Sequence, residues 1–207
     1  LNNPTGYGAR DAAKAAADKL GVEIVAIEEH AATTISETES LTRIKGKNPD
    51  VLFISSTPAP TAIVLKNAYE LGMLPKLTVG TAHASFTKVL IDLAGAKIAE
   101  GIYGVYPTVT WGEKVPGMAK MMEYCKKYHP EHEGNLDYLI SWGEGLIDAE
   151  ILRQAIKNAG YDVVSKGNEE AWKAVEEKGF RMVKGYDFEG LQGPVDFSNP
   201  EDRRGSK

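Results

Sequence analysis

Few side chains in this sequence could carry chemistry, and they are scattered. There are four histidines, His30, His83, His129 and His132, and one cysteine, Cys125. His129 and His132 flank Pro130 and Glu131, a spacing that hints at a metal pair. A proline between them breaks the helix that a rigid pair needs, and no cysteine or third ligand follows at zinc spacing, so a solvated loop is the better reading. Cys125 sits beside Lys126 and Lys127 in a helical stretch without a histidine partner, which reads as a structural or surface thiol. Thr5-Gly6-Tyr7-Gly8 has neither the lysine of a phosphate loop nor the glycine pattern of a dinucleotide site. No serine stands in a nucleophile elbow. The sequence therefore predicts no enzyme, no cofactor and no metal. What remains is hydroxyl chemistry in three small-polar stretches: residues 6–8 with Tyr7, residues 55–57 (Ser55, Ser56, Thr57), and residues 81–85 with Thr81, Ala82 and His83. Hydroxyls, backbone N–H groups, one aromatic ring and one imidazole are the lining of a small-molecule site, and they supply no reaction.

The flanking patterns indicate what must position these residues. Residues 51–55 form a short apolar run without alternation, as expected of a strand covered on both faces of a parallel sheet. Thr57 is a good N-cap and Pro58 a good first helical residue; Ala62, Val64, Ala68 and Leu71 then recur at helical spacing, with Gly72 as the stop. The same order recurs along residues 1–106. Asn2-Asn3-Pro4-Thr5-Gly6 reads as a turn, and Ala9, Ala13, Ala16 and Leu20 as the stripe of a helix closed by Gly21. Residues 22–27 read as a strand, and Ser36 with Glu39 as a capping box opening a helix to about Gly46. Residues 77–79 read as a strand, 80–85 as a loop, 86–93 as a helix and 101–106 as a strand. Such alternation predicts βαβ units in an α/β, parallel-sheet layer sandwich of flavodoxin-like type. Ligands in such folds sit beyond the carboxyl ends of the strands, which brings the three polar stretches to one edge. Two readings stand side by side here: the Ser and Thr residues line a site or simply cap helices, and Tyr7 lines it or packs on the sheet.

After Tyr106 the pattern turns helical. Residues 115–128 and 136–159 read as helices, the second with Leu139, Trp142, Leu146, Ala149, Leu152 and Ile156 on one stripe. Asn168-Glu169-Glu170 opens another. In the tail, only residues 193–197 look strand-like. Helices without a sheet cannot bury their stripes alone, so this half expects a sheet from elsewhere. The expected division is an α/β domain at 1–106, a mainly helical part at 107–190 and a crossing segment at 191–207. The formal net charge of −5 argues against a nucleic-acid surface. No apolar run is long enough to span a membrane, and one cysteine allows no internal disulfide, which leaves the compartment open. The opening turn normally follows a strand, and only Leu1 precedes it, so the chain reads as a fragment.

Several stretches in order are similar to a known family. These are Asn3–Gly8 (NPTGYG) with its alanine-rich helix, residues 43–56 (RIKGKNPDVLFISS), residues 94–104 (AGAKIAEGIYG) and, most specifically, residues 188–205 (FEGLQGPVDFSNPEDRRG). Together they resemble the type I periplasmic binding proteins, in particular the branched-chain amino-acid (leucine/isoleucine/valine) class of ABC-transporter substrate-binding proteins. The resemblance implies two α/β lobes joined by three crossings and closing on a small polar ligand, a membrane permease as partner, and a periplasmic or extracytoplasmic location. This chain would lack the N-terminal half of the first lobe. It also implies that Tyr7, Ser56, Thr57, Thr81, Ala82 and His83 face the ligand, with Trp142 either toward the cleft or in the core. The amino-acid binders place a glutamate for the ligand ammonium where this chain has Gly80-Thr81-Ala82-His83. That departure favours carboxylates, amides or other polar compounds over α-amino acids. A cytoplasmic ligand sensor of the same fold, as in amide-responsive regulators, and a Rossmann-like enzyme are the alternatives.

Overall fold

The computed structural model describes residues 1–199, and the chain forms two compact units, Leu1–Tyr106 and Pro107–Lys207. The first unit is built on a parallel sheet of three strands in sequence order, β1 (Val51–Ile54), β2 (Thr78–Thr81) and β3 (Tyr103–Gly104). Its helices are α1 (Pro4–Leu20), α2 (Thr38–Lys45), α3 (Pro58–Glu70), α4 (Lys88–Ala94) and α5 (Ala96–Ala99). Paired residues in a sheet share a face. Leu52, Ile54, Val79 and Thr81 thus project to one side, and Val51, Phe53, Gly80 and Tyr103 to the other. The first side is the core: Ile54 and Val79 cluster with Leu41 of α2, Ala62, Val64, Leu65 and Ala68 of α3, and Leu90 and Ala94 of α4. The second side is open, with Val51 59% and Phe53 51% exposed. The expectation that β1 is covered on both faces fails, because the helices that pack on this sheet cluster with one face only.

Local signals explain most helix boundaries, and several differ from expectation. Helix α1 begins at Pro4 because the Asn3 side chain accepts from Gly6 N–H at 2.8 Å. The expected opening turn, and the expected loop at residues 6–8, are therefore helix. Its buried residues are Gly6 and Ala17, whereas Leu20 is exposed, so the stripe is rotated from the expected Ala16 and Leu20. Helix α2 starts after Glu37 without a side-chain cap, so Ser36 and Glu39 form no capping box. Pro58 opens α3 as expected, and Thr57 occupies the N-cap in extended backbone, but its hydroxyl caps nothing; the Thr57 carbonyl instead accepts from Thr61 N–H and Thr61 Oγ1. A 3-10 turn (His83–Ser85) separates β2 from α4.

The expected strand at residues 22–27 is extended but belongs to no sheet. A strand needs a neighbour to take its backbone groups, and none lies alongside it among the described residues. Side-chain bonds anchor the chain just beyond it: Arg43 forks onto Glu28 with Nε–Oε1 2.9 Å and Nη2–Oε2 2.8 Å, and Arg10 reaches Glu29 at 3.5 Å. The Arg43 hydrogen bond holds the Glu28 carboxyl below the ordinary carboxylate value, against a smaller opposing effect of burial. A depressed folded-state pKa means stability that is complete above the unfolded pKa and lost as pH falls through the folded one. Glu28→Gln should therefore lower the melting temperature above about pH 5 and match the parent at acid pH. A pH-independent gap between the two melting curves would show that this pair contributes no proton-linked stability.

The second unit contains α6 (Met118–Tyr128), α7 (Leu136–Ala159), α8 (Tyr161–Val164) and α9 (Glu169–Ala174), the last running into a π-helical turn (Val175–Gly179). Asn135 and Asn168 cap α7 and α9 by accepting from Asp137 N–H (2.8 Å) and Ala171 N–H (3.0 Å). The buried line of α7 is Leu139, Gly143, Ile151 and Ala155, so Leu152 and Ile156, expected on the stripe, are exposed. Gly179 lies where α7 meets the π turn; a Cβ there would stand 2.5 Å from the Ile151 carbonyl oxygen. Among the described residues this unit has no strand. The expected strand at 193–197 is a single bridge, Tyr186 to Val195, beside a second at Thr108 to Gln192. Residues 200–205 of the motif at 188–205, and the end of the expected segment 191–207, lie outside the described residues.

Candidate functional site

The carboxyl ends of β1 and β2 lie side by side, since Ile54 pairs with Thr81 and Ala82 N–H donates to the Ile54 carbonyl at 3.0 Å. Six of the candidate residues gather here: Ser55, Ser56 and Thr57 after β1, and Thr81, Ala82 and His83 at the end of β2. Their environments differ. Thr57 and His83 are exposed, Ser55 and Ala82 half-buried, and Ser56 and Thr81 buried. The Ser56 Oγ and Thr81 Oγ1 hydroxyls have no hydrogen-bond partner among the described residues. A buried hydroxyl left unpaired costs about 1–3 kcal/mol, so an unexplained pair at one sheet edge asks for a partner. The two are not equivalent. Thr81 follows Val79 on the core face of β2, so its hydroxyl points among apolar side chains, whereas Ser56 lies beyond the strand, in the loop itself.

Backbone donors add to the edge. The N–H groups of Ser56 and Thr57 donate to nothing among the described residues. The first turn of α3 is poor in donors, because Pro58 and Pro60 have none, which leaves Ala59. The macrodipole of α3 still places partial positive charge at this edge. The Ser55 carbonyl is already taken by the amino group of Leu1 at 3.0 Å, which brings the start of α1 to the same edge.

Tyr7 lies in the first turns of α1 and is 38% exposed, with the Arg10 guanidinium 5.1 Å from its ring centre. Arg10 is itself held above its ordinary pKa, chiefly by its hydrogen bond to Asp11. Trp142 is a residue of α7 in the second unit, half-buried, packed edge-on against Tyr124 with ring centres 5.5 Å apart. Thr87 is a residue that sequence reasoning missed: its buried hydroxyl is also unpartnered, at the N-cap of α4. The signal is present, because Thr precedes Lys88 as a cap would, but the expected helix starts two residues earlier, at residue 86. Elsewhere, a groove of about 630 Å³ in the second unit is lined by Trp172, Phe180, Arg181 and Phe197 among others, and contains none of the candidates. His129 and His132 each stand 3.6 Å from Glu131 in an exposed 3-10 turn (Pro130–His132). Among the described residues no group of three or more His, Cys, Asp or Glu could hold a metal ion, and no helix is long and apolar enough to cross a membrane.

A parallel α/β unit with hydroxyls and free amides at its carboxyl edge has the form of a ligand-binding unit. The chain belongs to the family described as periplasmic binding protein, which it matches over residues 1–207, and its fold is that of a lobe of the type I members. No curated protein sequence matches it. Among solved structures it is similar to an extracellular ligand-binding receptor from Rhodopseudomonas palustris (TM-score 0.81, 23% identity, 100% of this chain and 56% of that one). It is also similar to a branched-chain amino acid ABC transporter protein from Thermus thermophilus with bound valine (0.74, 24%, 95% and 51%). A third is a fatty acid ABC transporter substrate-binding protein from Thermomonospora curvata (0.74, 19%, 95% and 47%). The chain thus spans about half the length of these proteins.

Proposed function

We propose that this chain forms part of the extracytoplasmic solute-binding component of an ABC importer, and that the carboxyl edge of its sheet is one wall of the ligand site. The observation that carries this reading is the buried Ser56 hydroxyl beside the Ser56 and Thr57 amides, all three without a hydrogen-bond partner among the described residues. On this reading Ser55, Ser56, Thr57, Thr81, Ala82 and His83 line the wall, and Tyr7 flanks it. The ligand is a small polar molecule carrying a carboxylate or amide. Two relatives support that class, since valine and fatty acids share a carboxylate. The loop Gly80-Thr81-Ala82-His83 offers no carboxylate to an ammonium group, so this wall favours hydrogen-bond acceptors. Family membership supports a membrane permease as the partner of the loaded protein, and the work is binding and release with no bond made or broken.

The test is a thermal-shift screen of the natural protein that contains this chain, against valine, aromatic carboxylates, fatty acids and amides. A ligand at 100 times its dissociation constant should add about 2.7 kcal/mol of stability. Ser56→Ala removes one hydrogen bond to that ligand and should weaken binding by about 1 kcal/mol, close to fivefold. A flat screen across all four classes, or a hit whose affinity Ser56→Ala and His83→Ala both leave unchanged, overturns the proposal.

A further inference from the structure

One titratable side chain beside the candidate edge has no role in the site described above. The Nδ1 of His30 is enclosed and has no hydrogen-bond partner among the described residues. The backbone fixes where His30 stands. The Leu1 amino group donates to the Ser55 carbonyl at 3.0 Å, and Asn2 N–H donates to the His30 carbonyl at 2.9 Å. Successive N–H groups of an extended chain point to opposite sides. Leu1 and Asn2 therefore lie between the loop after β1 and the end of the extended residues 22–30, with one rung on each side. Backbones joined by such bonds stand about 4.7–4.9 Å apart, which puts His30 two spacings, about 9–10 Å, from residues 55–57.

Alternation along the extended stretch sets which way the imidazole points. Glu28 meets Arg43 of α2, and Glu29 meets Arg10 of α1. His30 shares the side of Glu28 and so faces α2, where Glu37 holds the N-cap position. The electrostatic influence of Glu37 on the imidazole agrees with this placement. Glu37 is half-buried. Its backbone N–H donates to Asn67 Oδ1 at 2.8 Å, and its Oε1 accepts from Thr34 Oγ1 at 2.6 Å. The two arginines of this corner are engaged by Glu28 and Glu29, so Glu37 has no ion-pair partner among the described residues. Burial holds the His30 pKa below the ordinary histidine value; the Leu1 amino group acts the same way, while Glu37 and the Ala31 backbone oppose. The ring is therefore neutral at pH 7, and one of its nitrogens is an acceptor.

The two ends of this edge thus have opposite character. At residues 55–57 the Ser56 hydroxyl, the Ser56 and Thr57 amides and the α3 macrodipole suit a negatively charged acceptor. At His30 and Glu37 an imidazole nitrogen and a carboxylate suit a positively charged donor. We propose that the ligand is an ω-amino carboxylate, with its carboxylate at residues 55–57 and its amine at His30 and Glu37. This rests on the carboxyl edge being a ligand wall, and it extends that wall by one loop. The spacing excludes an α-amino acid, whose two charged groups are separated by a single carbon. It therefore agrees with the lack of a carboxylate at residues 80–83.

The test is calorimetric titration of the natural protein that contains this chain with straight-chain ω-amino carboxylates, from γ-aminobutyrate upward, each beside the alkyl carboxylate of the same length. The ω-amino compound that spans about 9–10 Å should bind at least about 10-fold more tightly than its alkyl counterpart, as a hydrogen bond to a charged group allows. His30→Ala and Glu37→Gln should each abolish that preference. The His30 Nδ1 bonds to nothing in the free chain, so its removal costs no hydrogen bond, and Glu37→Gln keeps an acceptor oxygen for Thr34. Ser56→Ala should weaken both compounds alike and preserve the ratio. Alkyl carboxylates that bind with no gain from an added amine at any length overturn the inference and leave the ligand wall standing. A preference that survives either substitution does the same. A protein that binds neither series overturns the inference, and a flat screen of the remaining ligand classes then removes the wall as well.

Discussion

Leu65→Ala should cost the N-terminal unit about 3 kcal/mol, within the range of about 2–5 kcal/mol seen for buried leucine truncations. Leu65 is completely buried near the middle of α3, in one cluster with Ile54 and Val79 of the sheet, Leu41 of α2 and Leu90 of α4. Truncation loses both the transfer free energy of the removed carbons and the contacts around the cavity. The surroundings have little freedom to close it. Ala62 and Ala68 on the same helix already carry the smallest side chains, and the pyrrolidine rings of Pro58 and Pro60 fix the helix start. The three tryptophans, Trp111, Trp142 and Trp172, all lie in the second unit, so their fluorescence does not report this loss. Amide exchange at Val79, measured against urea, does. Leu20→Ala, at a 76% exposed position of α1, is the control and should stay within about 0.5 kcal/mol of the parent. A loss below 1 kcal/mol for Leu65→Ala would mean that this cluster is not the centre of the unit.

The contrast between Leu65 and Leu20 also shows what a sequence can convey. The segment leading into Leu65 was readable because its signals are local: a proline at the first helical position, small and apolar residues at helical spacing, a glycine to stop. Helix α7 runs over the expected residues 136–159 for the same reason, with Asn135 and Gly160 marking its ends. Which face of a helix is buried is not local. In α7 the expected Leu139, Trp142 and Leu146 do pack into the core, but farther along Ile151 and Ala155 are buried in place of Leu152 and Ile156, because the neighbouring elements and not the apolar count decide the face. Strands suffer most. Residues 22–27 have strand composition and strand conformation, yet no ladder, since pairing depends on a neighbour that composition cannot supply. The candidate edge was legible at Ser55, Ser56, Thr57 and His83 because loops after strands in a parallel sheet fall together. Tyr7 lies in a helix and not in the expected loop because Asn3, which sits in a turn-like run of residues, is the cap of α1.

Gly6 and Gly8 should answer alanine in opposite directions. They lie two residues apart in α1, and on propensity alone either substitution would stabilise the helix by about 1 kcal/mol. Gly8 obeys that rule: a Cβ there meets nothing within 4 Å, so Gly8→Ala should gain about 0.5–1 kcal/mol. At Gly6 a Cβ would overlap the carbonyl oxygen and carbon of Leu1. The obstacle is backbone, and the backbone is not free to move. Leu1 is tied to Ser55, Asn2 to His30, and the Asn3 side chain to the amide of Gly6 itself. Relief requires breaking the rung between Leu1 and Ser55 or lifting the first turn of α1 with its cap. The rung contributes about 1 kcal/mol and the cap about 1 kcal/mol, so the net effect of Gly6→Ala is a loss of roughly 1–2 kcal/mol after the propensity gain. The same movement displaces the Ser55 carbonyl at the start of the candidate loop, so ligand affinity should fall in Gly6→Ala and hold in Gly8→Ala. Melting curves and ligand titrations of the two variants decide it. Equal stabilisation by both would show that the start of α1 is not pinned to the sheet edge.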